Sequence, residues 1–407
     1  MIHSSCNSLS KQHTAKIGVV WFALMLFALG ASTAAAIPRF SLLTGTRCSV
    51  CHFNPQGSGL RTQLGWEMMN ETGLLKWHDV SLDTSGISPT NGLFGNVLFP
   101  GFDGRLQQVR LSRTGESKLI PMQMSVGLGL QFGQQLSLST NVNIASVAER
   151  ARGGSLYPGE TDYDLALQYQ PDVTLPSIRA GMIEPSFGVR QDDHTIFTNE
   201  EAAIQGTELI PPYYNELGVE VTYEGMRWIT VNAGVFNSYN LALIDPTIGT
   251  VNSMTDFSHP TLAARVMFWP QLLEQGINME VGGSVISNGS FRLLNGFAGF
   301  GLADKSSLFF ETLYGTNSDQ RIIRNFSVIG SYELAAWLAA EWRYDWGQTE
   351  LYPNIGLSFA QGFLIGLEFF PAPFIEIRPE YRVLHKTPYG SDGTFTGQWT
   401  GQIHVFY

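Results

Sequence analysis

Residues 122–132 read MQMSVGLGLQF, and residues 135–147 read QLSLSTNVNIASV. In both stretches apolar side chains alternate with small or polar ones, a period of two that is typical of a β-strand with different surroundings on its two faces. Each stretch is about ten residues long, which is the length that a tilted strand needs to cross a bilayer. The two stretches therefore predict a pair of membrane-spanning strands.

The same alternation recurs from about residue 101 to the C-terminus, and Asn, Asp, Gly and Pro separate the segments. A sheet with open edges leaves backbone groups unpaired in lipid, so we expect the strands to close into an antiparallel β-barrel. At roughly 19 residues per strand and turn, residues 101–407 give about 16 strands, within the known range for outer-membrane barrels. The further clear segments are residues 162–170, 227–236, 261–269, 278–286, 306–314, 337–346 and 374–384.

Composition agrees with an all-β membrane barrel. Only 14% of the residues are charged, 12% are aromatic, and 43 are glycine. The net charge of −11 argues against a nucleic-acid partner. Residues 398–407 read QWTGQIHVFY, which resembles the aromatic-ended terminal strand of bacterial outer-membrane barrels. The alternative interpretation of the alternating pattern is a soluble β-sandwich or β-helix. A set of aromatic residues near strand ends predicts interfacial girdles, namely Trp228, Trp269, Trp337, Trp342, Trp346, Phe369, Phe370 and Tyr381.

The N-terminus predicts export. Lys11 and Lys16 precede an apolar stretch at residues 17–29, and Ala34-Ala35-Ala36 offers a small-residue cleavage site. We therefore interpret residues 1–36 as a signal peptide, with a retained anchor as the alternative. The expected location is the outer membrane of a Gram-negative-type bacterium, in contact with its lipid.

After cleavage, the remaining cysteines lie in Cys48-Ser-Val-Cys51-His52, the C-x-x-C-H pattern of covalent haem attachment. Two thiols three residues apart can each form a thioether to a haem vinyl group, and the adjacent histidine then supplies the proximal iron ligand. The alternatives are a disulfide, a redox-active pair, or part of a zinc site. The favoured prediction is one covalently bound haem c.

The distal side of the haem iron is open at the level of sequence. Met68 and Met69 follow in a stretch, residues 63–70, that could form a helix, and His78 is close in sequence. A distant residue or an open coordination position are the other choices, and the two methionines could simply pack against the porphyrin or the barrel wall. Arg61 is a candidate partner for a haem propionate, or else a solvated loop residue.

Residues 184–215 form the least strand-like part of the barrel region. They contain an acidic and histidine-bearing set that offers two interpretations beside a plain solvated porin loop. One is a loop folded into the lumen. The other is an outer loop that attracts metal cations, with His194 and its neighbouring carboxylates as iron ligands. The set comprises Asp192, Asp193, His194, Glu200, Glu201 and Glu208, followed by Pro211-Pro212.

With the haem motif and the barrel pattern combined, the layout resembles the fused outer-membrane monohaem cytochrome c–porins, whose best-known members are iron-oxidising bacterial cytochromes. The resemblance implies a signal peptide (1–36), a monohaem cytochrome c segment and linker (37–100) and an outer-membrane barrel (101–407). It carries attachment over to Cys48 and Cys51 and axial ligation to His52, and it puts the haem inside or at the mouth of the lumen. The stretch after His52 departs from the iron oxidisers and favours a sister group.

The resemblance implies electron transfer between an extracellular donor or acceptor, with iron(II) as one candidate donor, and a soluble periplasmic cytochrome or other carrier. Enzymatic iron(II) oxidation stays an open question. Two other functions fit the same features: a diffusion porin with a haem-bearing plug or redox gate, and a protein that senses or binds a small ligand at the haem. No hydrolytic or phosphate-binding motif appears in the sequence.

Overall fold

A computed structural model shows an all-β architecture. It describes residues 41–42, 45–57, 59–66, 92–112, 114–144, 163–189, 195–198, 209–211, 214–245, 248, 251, 253, 255–272, 277–289, 291–302, 305–316, 321–335, 337–351, 356–372 and 374–407. Helices in this part of the chain are few and short, including α1 (Cys48–Cys51) and α2 (Leu241–Ile244). No described helix is long and apolar enough to cross a membrane.

The strands run in chain order around the sheet. Their bounds are β1 Leu98–Leu111, β2 Ser117–Phe132, β3 Leu136–Asn143, β4 Tyr163–Tyr169, β5 Ser177–Ile183, β6 Glu216–Tyr223, β7 Ile229–Phe236, β8 Thr261–Phe268, β9 Gln271–Leu272, β10 Ile277–Asn288, β11 Phe291–Leu302, β12 Ser306–Thr316, β13 Ile322–Ala335, β14 Leu338–Leu351, β15 Gly356–Ala372, β16 Ile375–Thr387 and β17 Thr394–Phe406.

The sheet closes on itself. Strand β1 pairs antiparallel with β2 on one side and with β17 on the other, with Asp103 opposite Phe406. Strands β8 and β9 both pair with β10, so they form one interrupted strand and the 17 segments make a barrel of sixteen strands. Closure leaves no sheet edge whose backbone N–H and C=O groups would be unpaired in lipid. The predicted fold class is therefore confirmed.

The two faces of each strand have opposite character. Along β2, Gln123 and Ser125 are buried and point into the lumen, whereas Met124 and Val126 are exposed and point outward. The enclosed surface is polar and ion-paired, as in the 2.8 Å contact between Arg343 and Asp345. An apolar outer surface around a polar lumen is what an outer-membrane barrel requires, because its outside faces lipid and its inside faces water.

The connections divide the barrel into two rims. At one rim the strands join through short turns, such as residues 133–135 and 224–228, and β17 ends there, beside the start of β1. At the other rim β3, β5 and β7 end, and the strands that follow them begin only after connections of 19, 32 and 24 residues (144–162, 184–215 and 237–260). In outer-membrane barrels the short turns are periplasmic and the long loops extracellular, so we call these the periplasmic and extracellular rims.

The structure differs from the sequence prediction in the bounds of the strands and in two of the predicted girdle residues. Each of the nine segments named from the alternation overlaps one strand, and β1 begins at Leu98, three residues before the expected boundary. Two of the predicted girdle residues are wrong: Trp269 and Phe370 are buried. Phe370 follows Phe369 directly, and adjacent residues of a strand point to opposite faces. Trp228 and Trp337 are exposed as expected.

Candidate haem-binding segment in the barrel lumen

The C-x-x-C-H motif forms one compact turn. Helix α1 spans Cys48–Cys51, and the backbone N–H of His52 donates to the Cys48 carbonyl at 2.9 Å. Residues three apart in a helix share a face, so both thiols lie on one side of the turn with the imidazole directly after them. The two cysteines form no disulfide. This arrangement could hold a haem through two thioethers and one histidine ligand.

The protonation of the thiols follows from their position. Burial, with a smaller contribution from Glu280, raises the pKa of Cys48 to about 12, and burial also raises the pKa of Cys51. Both are therefore protonated thiols at neutral pH in the folded chain, the less nucleophilic form of cysteine. Among the described residues no group of three or more His, Cys, Asp or Glu could hold a metal ion, so the zinc alternative gains no support there.

One side of the turn is fixed to the periplasmic rim. The guanidinium of Arg47 donates to the carbonyls of Glu224 at 2.8 Å and Ile229 at 3.2 Å, and also to that of Met226. The hydroxyl of Ser49 donates to the Glu224 carboxylate at 2.9 Å. Since residues 224–228 form the short turn between β6 and β7, these bonds hold α1 at the periplasmic end of the barrel.

The chain folds back after His52 and packs against another part of the wall, at β1 and β2. The Phe53 N–H donates to the Leu60 carbonyl at 3.1 Å, and His52 forms an antiparallel bridge with Arg61. Leu60 is buried over Gly129 on the lumenal face of β2, where a Cβ would lie 2.7 Å from Leu60 Cδ2. The Phe53 ring lies 5.5 Å from that of Phe99 on β1. The segment therefore lies inside the barrel.

A second leucine packs over a glycine of the lumenal wall, at the start of the described chain. Leu42 is buried against β11, where a Cβ on Gly301 would overlap the Leu42 carbonyl oxygen. The neighbouring Ser41 hydroxyl donates to Glu280 of β10 at 3.3 Å. Residues 41–42, 45–57 and 59–66, which we call the lumenal segment, thus contact the wall at β1–β2, β6–β7 and β10–β11.

Arg61 is not a solvated loop residue. Its guanidinium lies over the Phe406 ring, 4.9 Å from the centroid, and burial lowers its pKa to about 10 despite the nearby Asp103. It is still charged at neutral pH, so pairing with a haem propionate stays a prediction. Trp66 extends the contact with the C-terminus, since its ring centroid lies 4.9 Å from Phe374 and 4.8 Å from Tyr407.

Several predicted residues lie outside the described part of the chain. They are the distal-ligand candidates Met68, Met69 and His78, and the acidic and histidine-bearing set Asp192, Asp193, His194, Glu200, Glu201 and Glu208. Residues 63–66, at the start of the stretch expected to be helical, are helical.

The described residues 184–189 and 195–198 of the connection between β5 and β6 fold into the lumen, as one of the sequence interpretations proposed. The Ser186 N–H donates to Glu220 of β6 at 2.9 Å, and the Val189 N–H donates to Glu311 of β12 at 3.2 Å. Further along, Thr195 accepts hydrogen bonds from Arg343 and Arg382. We call its described residues, 184–189 and 195–198, the inward loop. It crosses the lumen from β6 to β14 and β16.

The inward loop meets the lumenal segment. The Asn54 amide donates to the Glu184 carboxylate at 2.9 Å, and the Gln56 amide donates to the Pro185 carbonyl at 3.0 Å. Sequence analysis missed Asn54, Gln56, Leu42 and Leu60. A signal for the two leucines was present in the paired glycines GLG at 127–129 and GFG at 299–301, which alternate on a lumenal face.

A closed sixteen-stranded barrel with an inward loop defines a porin-type outer-membrane barrel. Similar solved structures include the outer-membrane channel DcaP of Acinetobacter baumannii (TM-score 0.53, 10% identity, 76% of this chain and 97% of that chain). They also include OprB of Pseudomonas putida (0.52, 11%, 76% and 93%) and OmpF of Salmonella typhi, determined with daunomycin (0.52, 14%, 77% and 99%). At these identities the likeness shows the fold alone. No protein-family profile and no curated protein sequence matches the chain.

Proposed function

We propose that this chain is an outer-membrane channel whose periplasmic mouth carries a haem-bearing plug, so that the redox state of the haem alters passage through the lumen. The observation that supports the proposal is the position of the C-x-x-C-H turn. It lies inside the barrel and contacts the wall on several sides, instead of forming a separate soluble domain.

The plug is built from residues of this chain. Cys48 and Cys51 would attach the haem, and His52 would coordinate its iron. Arg47 and Ser49 orient the turn against residues 224–228. When bound, the haem supplies a one-electron redox centre. The polar lumenal wall accounts for passage of hydrated solutes, since the channel interior of a sixteen-stranded barrel is wide enough for water.

Conductance of the purified full chain in planar lipid bilayers tests this function. The holoprotein should change its single-channel conductance when the haem is reduced with dithionite and recover on reoxidation. A C48A/C51A variant, which cannot attach haem covalently, should show no redox response. Equal responses of the two proteins, or no response in the holoprotein, would rule out a redox gate.

Haem attachment has its own test. The denatured wild-type chain should keep its haem and give a pyridine haemochrome spectrum of c type, and the C48A/C51A variant should lose it. The native spectrum then reports coordination. A six-coordinate iron fits a gate or carrier, whereas a five-coordinate iron that binds carbon monoxide favours the small-ligand function. A wild-type chain without covalent haem would remove the basis of the proposal.

A second candidate function is electron transfer between an extracellular donor or acceptor and periplasmic carriers. The exposed edge of the motif turn favours it: Val50, between the two cysteines, is 36% exposed at the periplasmic rim. A soluble periplasmic cytochrome could approach a haem attached there. Iron(II) is one candidate donor on the other side of the membrane.

Proteoliposomes that enclose an oxidised soluble cytochrome separate this candidate from the channel. With iron(II) added outside, wild-type protein should reduce the enclosed cytochrome faster than the C48A/C51A variant does. The liposomes also need an iron chelator inside, so that iron that has diffused through the lumen is not counted. Equal rates for the two proteins would exclude haem-mediated transfer.

A further inference from the structure

Arg179 of β5 lies where the wall, the lumenal segment and the inward loop meet. Its guanidinium donates to the Asn54 side-chain oxygen at 3.0 Å, to the Glu184 carbonyl at 2.8 Å and to the Glu220 carboxylate at 3.0 Å. The residue is only 4% exposed. One buried side chain therefore binds three partners that belong to three different parts of the chain.

The partners of Arg179 also bind one another. Asn54 donates to the Glu184 carboxylate at 2.9 Å, and Glu220 accepts from both the backbone N–H and the hydroxyl of Ser186. Gln56 adds its bond to the Pro185 carbonyl. The result is a closed network that joins residues 54–56 of the lumenal segment to residues 184–186 of the inward loop. Leu42 of the lumenal segment and Ile196 of the inward loop also belong to one apolar cluster.

The chemistry of this network makes it stiff. A guanidinium presents its donors in a fixed planar fork, so three acceptors must keep their relative positions to be satisfied together. Hydrogen bonds that involve charged groups are stronger than neutral ones, and a low local dielectric strengthens them further. Loss of one member leaves buried polar groups unsatisfied, so a displacement of the lumenal segment is felt by the inward loop.

We propose that Arg179 is a positioning residue that joins the lumenal segment and the inward loop into a single plug. When one of these two parts is displaced from the barrel wall, the other becomes more mobile as well. The expected consequence of this coupling, a change in passage through the lumen, rests on the proposed channel function. The mechanical coupling itself does not depend on haem.

Hydrogen exchange followed by mass spectrometry tests the coupling in the full chain, both as wild type and in the C48A/C51A background. Asn54→Ala leaves the Arg179–Glu220 ion pair in place but removes two bonds to charged groups, together with the local bond from the Gln56 N–H to the Asn54 side chain. We expect about tenfold faster exchange at the amides of Ser186, Gly188 and Val189, the change that corresponds to about 1.4 kcal/mol. Channel conductance should rise in parallel.

Thr62→Ala is the matched control. The Thr62 hydroxyl makes two hydrogen bonds, to the Val50 carbonyl and from the Gly65 N–H, and both stay within the lumenal segment. It should leave exchange in the inward loop unchanged. The reciprocal variant Glu184→Ala should speed exchange at Gln56 and Gly57. If Asn54→Ala misfolds, Gln56→Ala provides the same test from the neighbouring bond.

The proposal is overturned if Asn54→Ala or Gln56→Ala speeds exchange only within residues 53–57, or if Thr62→Ala affects the inward loop as strongly. Because the C48A/C51A background carries no attached haem, faster loop exchange there supports the coupling even if the redox gate fails. Conversely, a redox-sensitive conductance with independent exchange in the two parts would support the gate and refute the coupling.

Discussion

Leu60 of the lumenal segment lies directly over Gly129 of β2, so close that a Cβ at Gly129 would lie 2.7 Å from Leu60 Cδ2 and 2.8 Å from the Phe53 ring. Glycine is unfavourable in a strand interior because it has no side chain to pack. Here the missing side chain makes room for another part of the same chain. The barrel wall is therefore shaped to receive the lumenal segment.

Gly129→Val is expected to displace the lumenal segment while leaving the barrel assembled. Valine favours β-strands, but its side chain would occupy the space that Leu60 and Phe53 now fill. We expect a larger single-channel conductance in planar bilayers and faster proteolysis after Arg61, with an unchanged heat-modifiable band of the folded barrel on gels.

Gly401→Val is the control for that substitution. Gly401 lies on the outward face of β17, and a Cβ there would meet nothing within 4 Å. It introduces the same side chain into a strand without touching the lumen, so conductance should equal that of wild type. A Gly129→Val channel of wild-type conductance would mean that the segment does not restrict passage.

The sequence predicts the barrel well because the signal is repeated. Every strand must alternate between lipid and lumen, so each of the nine segments named from period-two patterns overlaps a strand. Strands such as β15, which reads GLSFAQGFLIGLEFFPA, are harder to recognise, because small and apolar residues also face the lumen in that strand. The exceptions Trp269 and Phe370 arise because proximity to a strand end does not fix which face a residue occupies.

The candidate site is predictable only in its local part. Cys48, Cys51 and His52 are recognised because the attachment chemistry requires neighbouring residues. The contacts of Asn54 with Glu184 and of Leu60 with Gly129 join residues far apart in the chain. Their partners depend on how the segment enters the lumen, which no local pattern encodes.

Arg61→Gln is expected to lower the reduction potential of the haem-loaded protein by tens of millivolts, where about 59 mV corresponds to a tenfold change in a one-electron equilibrium. A cation near the haem favours the reduced form, because reduction removes one positive charge from the iron. Spectroelectrochemical titration measures the shift. Arg61→Lys keeps the charge and should restore most of the potential. An unchanged reduction potential in Arg61→Gln would show that the charge of Arg61 does not act on the haem, although its guanidinium contacts Phe406.

Tyr214, which precedes β6, predicts a loss of stability at alkaline pH. Its hydroxyl donates to Glu216 at 3.1 Å, and burial, followed by the charge of Glu216, raises the pKa of Tyr214 well above its ordinary value of 10.0. In the unfolded chain this tyrosine loses its proton near pH 10, whereas in the folded barrel it keeps it. The free energy of unfolding therefore falls as the pH rises above about 10, by about 1.4 kcal/mol per pH unit until the folded-state pKa is reached.

Urea unfolding of the detergent-solubilised barrel at pH 8 and pH 11 checks this contribution. Tyr214→Phe should cost about 1 kcal/mol at pH 8, through the lost hydrogen bond, and should lose less stability than wild type between the two pH values. Tyr389→Phe replaces an exposed tyrosine and should behave as wild type. A Tyr214→Phe protein with the wild-type difference between pH 8 and pH 11 would contradict the assignment.

The far end of the inward loop gives a last prediction. The Arg382 guanidinium donates to the Thr195 carbonyl at 2.6 Å, and Arg343 donates to the Thr195 hydroxyl at 2.8 Å. Arg382→Gln removes the first bond and the positive charge beside Asp345. We expect the loop to leave the wall part of the time, because the remaining hydrogen bonds from Arg343 to the carbonyl and hydroxyl of Thr195 are each worth only about 1.5–3 kcal/mol. Bilayer recordings should then show additional transitions between conductance levels.

Arg324→Gln is the control, since Arg324 pairs with Glu350 at 3.4 Å on the outer face, away from the loop. If neither variant shows more transitions between conductance levels than wild type, contacts other than the Arg382 bond hold Thr195. If both variants show more transitions, the effect comes from the loss of an ion pair in general.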